Sequence, residues 1–175
     1  MISFMIIIMF IIRLLFLKIS ITNEKKILSS GGKEYGVNVS KAITTLHILF
    51  YLSCFIEAIL VGATIDTIGV IGLLLMIFSI MMLYVVTRLL GEIWTVKLMI
   101  AKEHRFVDHW LFRTIKHPNY FLNILPELVG IGLLCHAKVS TCIILPLYAV
   151  ILYLRIRQEN HLIKTIILPN SKLEE

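Results

Sequence analysis

Two short polar clusters in an otherwise apolar chain carry the side chains best suited to chemistry. They are the segment His117-Pro118-Asn119-Tyr120 and the later residues Arg155, Glu159 and Asn160. His117 precedes a proline, which disfavours helical backbone at that position and is typical of a helix start. The free N–H groups and positive dipole end of such a start suit an anionic ligand group. The alternative interpretation is an interfacial entry turn with Tyr120 as its aromatic anchor.

A second set of polar residues follows on the same predicted helix. Tyr120, Asn123 and Glu127 are spaced by three and four residues, which places them on one face. Within a membrane, such a face must look into the bundle or a cavity. Asn123 alone fits ordinary hydrogen bonding between helices, whereas the ionisable Glu127 favours a function. Glu57, on an earlier apolar stretch, leaves both interpretations open.

The spacing of Arg155 and Glu159 is i,i+4, the spacing of neighbours on a helix surface. Alone, such a pair is an ordinary surface ion pair worth roughly 0.3–0.5 kcal/mol. A short turn near Lys138 joins the last two apolar stretches, so they form an antiparallel hairpin. That hairpin brings the Arg155 segment close to the His117 segment, which makes a shared site the stronger interpretation.

The composition requires a membrane. Hydrophobic residues make up 58% of the 175 residues, mean hydropathy is +0.91, and only 16% of residues are charged, against roughly 25% in soluble domains. A soluble domain of this size would expose large apolar patches. The fold class is therefore predicted as an all-α integral membrane protein with a C-terminal helical hairpin and a cytoplasmic cofactor-binding segment.

Five apolar stretches are each long enough to approach a bilayer crossing of about 20 residues. The predicted spans are 1–17, 42–63, 67–87, 120–137 and 139–160. Residues 18–41 are predicted as a polar loop, and Arg13 is expected to snorkel from the end of the first span. The predicted organisation is an N-terminal part, 1–87, and a core, 88–175, whose segment 88–119 carries much of the charge.

The distribution of basic residues predicts the orientation. Of the 17 Lys and Arg residues, 15 lie in the loop 18–41, the segment 88–119 and the stretch from Arg155 onward at the end of the last span. The positive-inside rule places these three stretches in the cytoplasm. The amino terminus is then outside, and the carboxyl terminus and the polar clusters are inside.

The net charge of +6 does not indicate nucleic-acid binding, because the basic residues are confined to short stretches at membrane surfaces. Cys54, Cys135 and Cys142 all lie inside apolar stretches without a CxxC pair. They are interpreted as small packing residues. No His, Cys or carboxylate set has the spacing of metal ligands, so no metal is predicted.

The order of motifs resembles the isoprenylcysteine carboxyl methyltransferase family. The resemblance covers roughly residues 90–163, with a looser match before them. It is carried by Leu90-Gly91-x-x-Trp94, by Lys116-His117-Pro118-x-Tyr120 and by Arg155-x-x-x-Glu159 after a hairpin. The overall character is closest to bacterial members that O-methylate lipophilic products such as alkylpyrones. Three positions depart from the family pattern: Lys116 stands for an Arg, Leu122 for a Gly and Asn160 for a Glu.

The resemblance implies S-adenosylmethionine as cofactor and a transfer of its methyl group. The residues that it places around the cofactor are His117, Pro118, Tyr120, Arg155, Glu159 and Asn160. The candidates for the acceptor side, where catalysis takes place, are Arg113, Asn123 and Glu127. Glu159 is expected to pair with the methionyl amine, and Arg155 or Arg157 to orient its partners. The expected acceptor is an acidic oxygen, a carboxylate or an enol, of a lipophilic small molecule or a prenylated cysteine drawn from the membrane lipids.

Two other functions remain open. One is N-methylation of a phospholipid headgroup, in which Glu127 or His104 would serve as the base that an amine acceptor needs. The other is a non-enzymatic membrane protein such as a small transporter or an assembly subunit. Five spans without an internal repeat fit transporters poorly, and the charged segment 88–119 is more than a connector needs.

Overall fold

The computed structural model describes residues 1–102, 107 and 109–167. Within these residues the chain forms six α-helices and one two-stranded antiparallel sheet. The elements are α1 (Ile2–Ser29), β1 (Lys33–Tyr35), α2 (Val37–Leu60), α3 (Thr67–Leu90), a 3₁₀ turn (Gly91–Ile93), β2 (Leu98–Ile100), α4 (Trp110–Thr114), a π-helical turn (Asn119–Ile124), α5 (Leu125–Leu134), α6 (Lys138–Leu162) and a final π-helical turn (Ile163–Ile167).

In the described part of the chain, four helices are long and apolar enough to cross a membrane, namely α1, α2, α3 and α6 with its π-helical extension. The π-helical turn and α5 together form a shorter apolar helix, Asn119–Leu134. Large apolar side chains cover the outside of these helices, as lipid contact requires. The all-α membrane fold agrees with the prediction, while the crossing of α5 as a fifth span stays a prediction.

The first helix is longer than the sequence interpretation allowed. It does not end near residue 17 but continues to Ser29, so the first half of the predicted loop 18–41 belongs to α1. The buried residues of this extension are Ser20, Asn23, Glu24 and Ile27. Their spacing of three and four is that of one helix face, and this face packs against the chain that follows α3. These residues were predicted as a loop because they are polar, although the polar residues form the packing face of a helix.

Smaller differences concern the ends of the other elements. α2 begins at Val37 instead of residue 42, and α3 continues to Leu90. α5 ends at Leu134 and α6 begins at Lys138. The sheet was not predicted, because three-residue strands are too short to show an alternating pattern. In it Lys33 pairs with Ile100, which ties the start of α2 to the segment after α3.

The wide turn before α5 has a cause in the sequence. Pro126 has no backbone N–H, so the carbonyl of Leu122 cannot receive the usual i→i−4 hydrogen bond. The backbone instead adopts the π-helical form over Asn119–Ile124, a form that occurs often at functional sites. The side chain of Asn123 donates to Asn119 Oδ1 at 2.9 Å across this turn. The π-helical turn therefore determines the directions in which the side chains of residues 119–124 point.

The core of the bundle lies between α1, α2, α3, α5 and α6. Fully buried side chains include Phe50 of α2, Met76 of α3 and Ile131 of α5. α3 and α5 touch through their backbones, because a Cβ added to Gly130 would lie 2.7 Å from the Gly72 carbonyl oxygen. Small residues that allow such an approach are typical of membrane helix pairs. This contact holds α5 against the longer α3.

We expect Gly72→Ala to destabilise the bundle by about 1–3 kcal/mol, the usual cost of overpacking. A Cβ at Gly72 would meet the Gly130 carbonyl oxygen at 2.5 Å and Leu134 N at 2.6 Å. The midpoint of thermal unfolding in detergent measures the change. Gly69→Ala on the same helix is the control, because its Cβ would meet only ordinary contacts, the nearest at 3.5 Å. Equal midpoints for the two variants would contradict the close approach.

Candidate active site

One end of the bundle holds a cavity of about 400 Å³. Its wall consists of the ends of α3 and α6, the residues after α3 and the start of the π-helical turn. The lining is largely apolar, and its charged members are Lys97, Lys116, Arg155 and Glu159. Small-molecule sites usually have volumes of roughly 300–1,000 Å³. Size and lining both fit a mixed polar and apolar ligand.

The Glu159 carboxylate lies at the centre of the polar part of this cavity. Its Oε1 is 3.2 Å from His117 Nδ1, and its Oε2 accepts a hydrogen bond of 2.5 Å from the Tyr120 hydroxyl. His117 and Tyr120 stack with ring centroids 5.7 Å apart. The other ring nitrogen of His117 is 3.2 Å from Asn160 Oδ1. The two polar clusters of the sequence therefore form one site.

Arg155 is a buried part of this site and is only 3% exposed. Its Nε donates to the Tyr120 hydroxyl at 3.1 Å, so that hydroxyl accepts from Arg155 and donates to Glu159. Arg155 is thus a buried group whose link to Glu159 passes through Tyr120, and the surface ion pair considered for it does not describe its position. A tyrosine hydroxyl can accept and donate at once, which suits it to this position.

Pro118 sets the backbone geometry of the site. The carbonyl of His117 accepts from Tyr120 N at 3.0 Å and Phe121 N at 3.2 Å, so the helix starts there. Pro118 has helical dihedral angles, φ −63° and ψ −31°, and is buried. Its ring fixes φ near this value at no loss, since the first helical N–H has no partner within the helix. The His117 side chain is consequently held outside the helix, over the cavity.

The extension of α1 supports the opposite wall. Asn23 Nδ2 donates to the carbonyls of Gly91 at 3.1 Å and Trp94 at 2.9 Å. Ser20 Oγ accepts from Val96 N at 2.9 Å. Arg155 Nη2 reaches the carbonyl of the same Val96 at 3.1 Å. Side chains from both ends of the chain therefore hold the backbone segment that lines the cavity.

Lys97 adds a positive charge to this wall. Its Nζ lies 3.1 Å from Glu24 and 3.5 Å from Glu34. The hydrogen bond to Glu24, above all, raises the pKa of Lys97. Lys97 therefore stays protonated at any physiological pH and contributes a positive charge to the cavity lining.

A second polar network lies deeper, between the helices. Glu127 is fully buried and contacts the Arg13 guanidinium and the Tyr51 hydroxyl. His47 Nε2 is 3.7 Å from Glu127 Oε1. Asn123, 1% exposed, accepts from Arg13 Nη2 at 2.6 Å. Arg13 was expected to snorkel to the surface, but it turns inward because the buried carboxylate requires a cation.

The structure separates the predicted site residues into groups. Those that line the cavity are His117, Pro118, Tyr120, Arg155 and Glu159, with Asn160 behind His117. Asn123 and Glu127 belong to the deeper network, and Arg113 lies on α4 with an exposed side chain. Among the described residues, none of these three lines the cavity. Their predicted catalytic role stays a prediction, and His104 lies outside the described residues.

Several residues of the site were not predicted. Ser40 accepts from Arg155 Nη1 at 2.6 Å, Trp94 and Asn119 line the cavity, and Asn23 holds its wall. Asn119 lies inside the His-Pro-x-Tyr motif, so its position in the motif was a sequence signal for its place in the site. Glu57 is explained without function: it caps α6 by accepting from Val139 N and Ser140 N, both at 2.9 Å. In the described part of the chain, no group of His, Cys, Asp or Glu is placed to hold a metal ion.

Comparison with known proteins bears directly on this geometry. The model of the isoprenylcysteine carboxyl methyltransferase (ICMT) family matches residues 70–165, which include both polar clusters and all but one of the residues that line the cavity. The chain belongs to the ICMT family. Members of this family are membrane methyltransferases that use S-adenosylmethionine as methyl donor.

Two curated relatives extend the ICMT match toward the full chain. An uncharacterized protein of Haemophilus influenzae is 43% identical over 148 residues, 85% of this chain and 86% of the relative. The uncharacterized protein YpbQ of Bacillus subtilis is 33% identical over 139 residues, 79% of this chain and 82% of the relative. No solved structure matches.

We expect Asn23→Ala to weaken the cavity wall and to lower the free energy of unfolding by about 1–3 kcal/mol. The physical reason is that the buried carbonyl of Trp94 and the partly buried carbonyl of Gly91 would lose their donor. Thermal unfolding in detergent measures the loss. Thr22→Ala is the matched control, because Thr22 is exposed on the same helix and bonds only the carbonyl of Lys18 in the described structure. A loss of the same size in both variants would contradict the supporting role.

Proposed function

We propose that this protein is an S-adenosylmethionine-dependent O-methyltransferase whose acceptor is an acidic oxygen, a carboxylate or an enol, of a lipophilic small molecule. The observation that carries the proposal is the Glu159 carboxylate, which His117 and Tyr120 hold in place at a cavity between the helices. A structural role alone does not require a carboxylate fixed on both oxygens beside an open cavity.

The cavity suits S-adenosylmethionine in charge as well as size. Glu159 offers an anion to the methionyl amine, and Lys97 or Lys116 offers a cation to the methionyl carboxylate. Apolar side chains such as Leu98, Ile100 and Leu162 provide surfaces for the nucleoside. Of the departures from the family pattern, Lys116 retains the positive charge of the family's arginine. Asn160 retains a hydrogen-bonding group next to His117 but lacks the negative charge of the family's glutamate.

Bound S-adenosylmethionine would supply an electrophilic methyl group to the acceptor oxygen, with its sulfur as the leaving group. The residues of this chain contribute by alignment, which supplies much of the rate in such displacements. Tyr120 and His117 fix Glu159, and Arg155 fixes Tyr120. A carboxylate or an acidic enol is already ionised near neutral pH, so this acceptor needs no general base.

The surroundings of the site support a lipophilic acceptor. The cavity opens at one end of a bundle whose outer surface is apolar, so an acceptor dissolved in the bilayer is close to the site. Extraction of lipids from cells that express the protein, followed by mass spectrometry, identifies the acceptor as the species that gains one methylene. A methylated phospholipid headgroup in that extract would support N-methylation instead.

We expect Glu159→Gln to lose about 10–100-fold in affinity for S-adenosylmethionine, the usual range for a lost charge-assisted hydrogen bond. Calorimetric titration of the purified protein in detergent measures the affinity. Glu92→Gln is the control, because Glu92 is exposed and pairs only with Lys26 in the described structure. A folded Glu159→Gln protein with unchanged affinity would exclude Glu159 from the cofactor site.

The orientation can be tested separately. We propose that the carboxyl terminus and the cavity face the cytoplasm and that the amino terminus lies outside, since the basic residues cluster at the cavity end. Reporters that are active on only one side of the membrane, fused to the carboxyl terminus, should show a cytoplasmic location. A carboxyl terminus on the other side would reverse the proposed orientation without changing the site.

A further inference from the structure

The deep network and the cavity are connected by two amide side chains. Arg13 Nη2 lies 2.6 Å from Asn123 Oδ1, and Ser79 Oγ lies 3.1 Å from the same atom. An arginine has only donors, so the Asn123 atom that it contacts must be the oxygen. The charge of Arg13 therefore fixes the orientation of the Asn123 amide group, whose nitrogen must point the other way.

The fixed orientation of the Asn123 amide in turn fixes the orientation of the Asn119 amide at the cavity. Asn123 Nδ2 donates to Asn119 Oδ1 at 2.9 Å, so the oxygen of Asn119 is engaged as an acceptor. The free part of the Asn119 side chain is then its Nδ2 group, which can only donate. Asn119 lines the cavity, and among the described residues no protein acceptor is bonded to its Nδ2. The cavity thus gains an N–H donor of fixed orientation.

We propose that Asn119 determines acceptor specificity: its Nδ2–H donates to the anionic oxygen of the methyl acceptor, in an orientation that Arg13 imposes through Asn123. This inference rests on the proposed O-methyltransferase function. It explains why an arginine is held deep among the membrane helices, where a charge is costly. A donor suits an ionised carboxylate or enolate and does not suit a protonated amine, which has no acceptor to offer.

The first test replaces the donor with a group of the same shape. Asn119→Asp places a carboxylate oxygen where the Nδ2–H donor stood, and Asn119→Ala removes the donor altogether. The probe is a 4-hydroxy-2-pyrone with a long alkyl chain, added to protein in detergent without cofactor. Binding is measured from the rise in the thermal midpoint with probe concentration. We expect the probe to bind about 10–100-fold more weakly to both variants, with S-adenosylmethionine affinity unchanged by calorimetry.

Asn38→Asp is the matched control, because Asn38 is an exposed asparagine on α2 that does not line the cavity. It should bind the probe like the wild type. Unchanged probe binding by Asn119→Asp would overturn the inference. So would an equal loss of S-adenosylmethionine affinity in that variant, because Asn119 would then belong to the cofactor site.

The second test concerns Arg13 as a positioning residue. Arg13→Met alone would leave Glu127 buried without a cation, so Arg13→Met is combined with Glu127→Gln. The folded double variant should bind the probe about 10-fold more weakly, since a hydrogen bond of unfixed orientation contributes less. The single variant Arg13→Lys, which keeps the positive charge and the N–H donors, should retain most of the wild-type affinity for the probe. Wild-type probe affinity in the double variant would overturn the role of Arg13.

Comparison of acceptors separates this inference from the proposed function. Wild-type protein with S-adenosylmethionine is offered the alkylpyrone, a long-chain carboxylic acid and a long-chain primary amine. Methylation of an acidic acceptor, lowered in Asn119→Asp through KM rather than kcat, supports both proposals. Methylation of the amine alone would overturn the inference and leave a methyltransferase. Failure of the wild type to bind S-adenosylmethionine would overturn the proposed function, and the inference with it.

Discussion

The guanidinium group of Arg155 contacts three other elements of the structure. It donates to Ser40 at the start of α2, to the carbonyl of Val96 in the cavity wall and to the hydroxyl of Tyr120 in the π-helical turn. A buried guanidinium needs hydrogen-bond acceptors around it, because an unpaired buried charge costs several kcal/mol. The positions of three segments are therefore coupled to one side chain. Tyr120 in turn determines where Glu159 lies, so the cavity depends on this arginine although most of its contacts lie outside the cavity.

The same physical constraint operates around Arg13, with a different result. There the surroundings are helices in an apolar layer, where lipid offers no hydrogen bonds. Arg13 meets Glu127, Asn123 and Ser79, each from a segment other than its own helix. The ion pair compensates two charges that would each be costly alone. This ion pair also fixes the position of α1 along the bundle and its rotation about its own axis. The polar face of Ser20 and Asn23 is thereby presented to the cavity wall.

Some features of the fold and site followed from the sequence because they depend on local chemistry. The helix start at Pro118 follows from the absence of a proline N–H, and the approach of Glu159 to His117 follows from the hairpin. Other features depend on long-range partners that a single sequence does not display. The inward turn of Arg13 depends on Glu127, more than a hundred residues later. The helical extension of α1 was missed because the residues that pack its face, such as Asn23, are themselves polar. The strands were too short to leave a pattern.

The match to the ICMT family begins at residue 70, yet the site draws on residues before it. Ser40 and Asn23 hold the arginine and the cavity wall, and Arg13 lies beneath the polar turn. The division of the chain at residue 87 stays a prediction, but hydrogen bonds from Arg13, Asn23 and Ser40 all cross it. The segment 70–165 by itself would leave Arg155 with an unpaired donor and Glu127 without its arginine. In physical terms, the first two helices complete the site: they supply the polar partners that the bilayer cannot.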